Sequence, residues 1–152
     1  MKRVVCIVLL LSAVALCAGC AISSEPTVYT STARIKLALP QADVDELIGI
    51  YLIGDVDALI KSDAVLIEVI DGEKLSCTVD ALSEMIRVWR EPGTESVYCI
   101  SVDTSVENDA VRIANAVATE FCKRVNRIYA PDEPSEPIAE VLGKATAPTA
   151  PK

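Results

Sequence analysis

"IRVWREPGTESVYCISVD", Ile86 to Asp103, decides how the rest of the chain is read. Two β-rich runs of alternating polarity flank Pro92-Gly93, a pair suited to a tight turn. The stretch therefore predicts a β-hairpin. Trp89, the single tryptophan of the chain, lies on its first strand between Val88 and Arg90. If Val88 faces the core, Trp89 faces out, with Arg87 and Arg90 beside it in sequence. An outward tryptophan is a candidate contact for a sugar ring, a partner or a second subunit. The structural alternative packs it under the neighbouring strand.

Working downstream, the pattern changes from period two to period 3.6. Ala110, Ile113, Ala114, Val117, Phe121, Val125 and Ile128 recur at three- and four-residue steps, predicting a helix over about 105–130. Thr104 and Glu107 have the spacing of a capping box, and Lys123, Arg124 and Arg127 suit the negative end of the helix dipole. Asn115 falls mid-helix, where asparagine is a mediocre former. It is a candidate subunit or sheet contact, set against a side chain that satisfies a neighbouring backbone group. "APDEPSEP" then breaks regular structure, and "IAEVLGKA", 138–145, predicts a final strand.

Upstream, "VYTSTARIKLAL", 28–39, alternates with Tyr29, Ser31, Ala33, Ile35, Leu37 and Leu39 on one side, as a half-buried strand does. Pro40 stops it. Residues 41–56 are ambiguous between helix and other structure. For 57–72, Asp57 as N-cap and Gly72 as stop favour helix. Ser62 interrupts it, either capping a second helix or marking a kink. A short helix over 78–85 turns Leu82 and Met85 inward. The sum is an α/β domain, a small mixed or antiparallel sheet with helices packed on one face.

The N-terminus reads Met1-Lys2-Arg3, then an almost wholly apolar run from Val4 to Ile22. A basic start, an apolar middle and small residues form the pattern of an export leader. Ala18-Gly19 before Cys20 also resembles a lipobox, with Cys17 where that motif usually has leucine. Three fates follow: cleavage with lipid on Cys20, an uncleaved membrane anchor, or release. All three put the body outside the cytoplasm, because Lys2 and Arg3 hold the N-terminus inside. The expected organisation is a leader at 1–19, a linker at 20–27, the domain at 28–146 and a proline-rich tail at 147–152. Without 1–19, 12 basic residues face 22 acidic ones, a net charge of −10, which argues against nucleic acid or an anionic lipid surface.

The chain has six cysteines and no histidine. Cys6 and Cys17 fall in the leader. Cys77, Cys99 and Cys122 remain in the body, where an oxidising compartment permits one disulfide whose pair sequence cannot name. Without histidine, Ser-His-Asp and Cys-His sites are excluded, and no P-loop is present. Asp43, Asp45, Glu46, Asp55 and Asp57 supply carboxylates at turn-like positions. The body is therefore expected to be non-catalytic, with no cofactor and no metal. A carboxylate-based glycan hydrolase is the enzymatic rival, since two opposed carboxylates suffice for that chemistry.

Taken together, the motifs resemble a known family. "VYTSTARIKLAL" is similar to the tyrosine-alanine strand of the polysaccharide chain-length determinants, also called polysaccharide co-polymerases. "LIKSDAVLIEVI" resembles that family's serine-centred segment, and "ENDAVRIANAVATEF" its helix with the alanine-asparagine pair, here Ala114-Asn115. "VLGKATAPTAP" resembles its alanine-then-proline exit. The likeness covers about residues 27–151 and suits the compact branch, in which the hairpin runs almost straight into the helix. Family members carry a second membrane helix after the exit, and Glu107 stands where they usually have proline. The resemblance implies a membrane-anchored, oligomer-forming protein of the cell envelope, its body facing the periplasm or exterior. It would assist or regulate surface-polysaccharide assembly or export through contacts with polymerase or export proteins. The alternative is a general envelope lipoprotein module with no glycan role.

Overall fold

The computed structural model describes residues 27–38, 56–129 and 137–148. Strand β1, Tyr29–Leu37, buries Ser31, Ala33, Ile35 and Leu37 on one face, as its alternation predicts. Helices α1, Val56–Ile60, α2, Asp63–Glu73, and α3, Val79–Met85, follow. The hairpin consists of β2, Ile86–Arg90, and β3, Val97–Thr104. The long helix α4 spans Glu107–Tyr129, and β4, Ala139–Gly143, closes the order.

Every strand pairing among the described residues is antiparallel, in the order β2-β3-β1-β4. The core lies between one face of this sheet and the helices. Ile35, Ile100 and Val102 from the strands meet Leu66, Leu82, Val117 and Phe121 from the helices, all fully or almost fully buried. Each such side chain contributes roughly 1.5–3 kcal/mol through removal from water.

The turn of the hairpin forms at the expected residues. Thr94 N–H donates to the Glu91 carbonyl at 3.2 Å, and Gly93 has φ +80. Proline at the second position and a left-handed glycine at the third define a type II turn.

The interruption expected at Ser62 within 57–72 does form, and it separates two helices, α1 and α2. Several boundaries depart from expectation. Ser62 occupies the N-cap position of α2 without a side-chain cap. Its hydroxyl instead donates back to the Leu59 carbonyl at 2.7 Å, satisfying the end of α1. Helix α2 also runs past Gly72, and Lys74 takes the left-handed conformation, φ 53. That residue turns the chain so that Leu75 packs on the core, the hydrophobic contact that accompanies helix ends of this kind. The capping box does not form. Thr104 is still in β3, and its hydroxyl accepts from the Val106 N–H at 3.0 Å. Two residues are needed to turn the chain, so α4 begins at Glu107. Ile128 is 53% exposed rather than buried. It lies beyond Asn126, which already binds the first residue of β4, so the last turn overruns the strand beneath it.

Candidate functional site

Among the described residues, helices cover one face of the sheet and none lies over the other. Register assigns its residues. On β2, Ile86 and Val88 pair with Val102 and Ile100 of the core face, so Arg87 and Trp89 belong to the open face. Trp89 is 43% exposed. Across β3 it opposes Cys99, and Cys99 opposes Arg34 on β1. Trp89 and Arg34 thus flank Cys99, which is buried although no helix among the described residues lies over this face. Burial raises the Cys99 thiol above its ordinary range, with the Glu91 carboxylate adding to the effect.

Of the two arginines beside Trp89 in sequence, only Arg87 shares its face. Arg90 pairs with Tyr98 on the opposite face. The second guanidinium near Trp89 comes from Arg34, two strands away. The open-face charges form pairs: Arg34 with Glu91 at 2.5 Å, Lys36 with Glu140 at 3.5 Å, and Arg87 with Asp103. Glu91 holds the Arg34 guanidinium pKa above its ordinary value, chiefly by their hydrogen bond. Thr30 donates its hydroxyl to Asp103 at 2.5 Å.

Asn115 lies on the other side of the sheet. Its amide donates to the Ala145 carbonyl at 3.2 Å and accepts from the Ala145 N–H at 2.8 Å. Asn126 treats Ala139 in the same way, donating at 2.7 Å and accepting at 2.8 Å. Two side-chain amides of α4 therefore grip the backbone of the C-terminal segment as a neighbouring strand would. Ser31, buried in β1, adds a bond to the Thr146 carbonyl at 3.0 Å. Sequence reading missed Asn126. The signal was its distance from Asn115, about three helical turns, which returns to the same face.

Between α2 and α4 is a cavity of about 400 Å³, lined among others by Glu68, Gly72, Arg112, Thr119 and Lys144. Arg112 is held there by Glu73 and Asp109. Cys77, Cys99 and Cys122 are free thiols. Among the described residues no group of three or more His, Cys, Asp or Glu is placed to hold a metal ion. Asp57 lies in α1 and pairs with Lys61 at 2.8 Å. Cys20, the leader and the carboxylates at 43, 45, 46 and 55 fall outside the described residues. No protein-family model matches the chain, and no curated protein does.

Proposed function

We propose that the protein is an envelope-anchored, non-catalytic helper of surface-polysaccharide assembly or export, acting through contacts with polymerase or export proteins or with further copies of itself. The observation that carries this reading is how the body is closed. Ser31, near the start of β1, binds Thr146, just past β4. The two ends of the folded body therefore leave at one pole. A leader upstream of Thr27 seats that pole on a membrane and leaves the rest of the sheet directed away from it. The element order, strand, helices, hairpin, long helix and strand, also follows the motif order of the chain-length determinants. Within the described residues no helix is long and apolar enough to cross a membrane, so anchoring in this reading rests on residues 1–20, with lipid on Cys20.

Two experiments test it. Deleting the gene should change the length distribution or amount of surface glycan on a gel. An unchanged profile, together with pull-downs that recover only envelope proteins foreign to glycan assembly, favours the general lipoprotein module instead. For the anchor, radiolabelled palmitate should label the parent and not Cys20→Ala. Equal labelling of both rejects the lipid site.

A further inference from the structure

We propose that the open sheet face around Trp89 is a stacking platform for an uncharged polysaccharide chain. The inference rests on the functional reading above for the origin of the glycan, and on geometry for the site. Trp89 supplies a partly exposed aromatic plane in a strand, the surface on which the C–H face of a sugar ring packs. Arg34 rises from β1, two strand spacings or roughly 10 Å away, and its guanidinium reaches across β3 to Glu91 beyond the end of β2, so a glycan segment stacked on Trp89 meets that ion pair.

Charge selects the class of occupant. The chain as a whole carries a net charge of −8, yet the cations of this face, Arg34, Lys36 and Arg87, are each paired with an anion of the same face. Among the described residues the face is locally neutral and offers no surplus cation to an acidic polymer. Covering it with a protein surface would desolvate these ion pairs, which is costly. A polyhydroxyl chain avoids that cost. Each guanidinium has five N–H donors and each carboxylate about four acceptor positions, and one ion pair leaves most of them for hydroxyl groups. The pairing also fixes the side chains before a ligand arrives, so less order has to be imposed on binding.

Trp89 is the single tryptophan, so emission excited beyond the tyrosine absorption band reports on this face alone. The full chain, purified in a zwitterionic detergent free of sugar, is titrated with dextran, with polygalacturonate and with surface polysaccharide purified from cells that carry the protein. A saturable change in emission with an uncharged polymer is expected. By calorimetry, Trp89→Ala should weaken that binding about tenfold, equivalent to about 1.4 kcal/mol, while Trp89→Phe retains most of it. Circular dichroism checks that both variants fold, and the fluorescence of the parent stands whether or not they do. Absence of any emission change or heat with every polymer overturns the platform, as does equal affinity of a folded Trp89→Ala. Tighter binding of polygalacturonate than of dextran overturns the charge argument, and a concentration-dependent dimer lost in Trp89→Ala reassigns the face to a second copy. Gene deletion separates the two levels. A changed glycan profile without binding removes the platform and keeps the function, whereas binding with an unchanged profile does the reverse.

Discussion

Asn115 and Asn126 each present a carboxamide, which carries the same donor and acceptor as a peptide group. That equivalence lets a helix side chain complete the hydrogen bonding of an extended segment. Both Ala145 and Ala139 are buried, so their N–H and C=O groups have no easy recourse to water. Asn115→Ala or Asn126→Ala should therefore each cost about 1–3 kcal/mol, the penalty of stranding a buried polar group, in urea unfolding. Hydrogen exchange gives the sharper check. Asn115→Ala should release the Ala145 amide and leave Ala139 protected, and Asn126→Ala should do the opposite. Simultaneous release of both amides by either substitution would mean that the segment detaches as a unit rather than at two separate clamps.

Elements in this protein end where tertiary contacts let them. Helix α2 carries Gly72 in its last turn, and a Cβ there would meet nothing within 4 Å. Glycine loses more backbone freedom on folding than alanine does, so Gly72→Ala should stabilise the protein by up to about 1 kcal/mol. Gly93 also has open space around it, but its φ of +80 is strained for any residue with a Cβ. Gly93→Ala should destabilise by about 1–2 kcal/mol. A pair of melting curves tests both, and the two shifts must have opposite signs. The same contrast explains what was legible. The type II turn was readable because Pro92-Gly93 carries its own backbone preference. The end of α2 was not, because Lys74 takes a left-handed conformation that nothing local favours, and Leu75 then reaches the core.

At the scale of the whole molecule, the sheet, α2 and α4 share one core, and buried thiols couple its stability to pH. Burial pushes the Cys122 thiol up to about 12, with the Glu140 carboxylate contributing. In the unfolded chain the same thiol ionises near its ordinary value of about 8.5. Below that value both states hold the proton and stability is independent of it. Between there and about 12 the unfolded chain binds fewer protons than the folded one, so stability falls as pH rises. Cys99 is shifted in the same direction by its burial. Denaturant unfolding across the alkaline range should therefore show a steeper decline in the parent than in Cys122→Ala, whose lower baseline does not affect the comparison of slopes. Parallel slopes would remove Cys122 as the coupling group.

Local pattern alone determined the strand at β1, the hairpin and its turn, and most of the buried stripe of α4, from Ala110 to Val125. Those features follow from periods of two and 3.6 residues, which are read within a single segment. Tertiary structure decided everything that depends on which distant segment lies alongside. It placed β4 against β1 and completed the order β2-β3-β1-β4. It gave Trp89 the company of Arg34 on its own face and turned Arg90 away. It also made Asn126 the equal of Asn115 by bringing Ala139 within 3 Å of its amide. Pairing between strands is a matter of register across dozens of residues, and a one-residue slip would exchange the two faces of the sheet. No short window of sequence contains that information, because the choice is made by the burial that the whole core gains when one register is adopted.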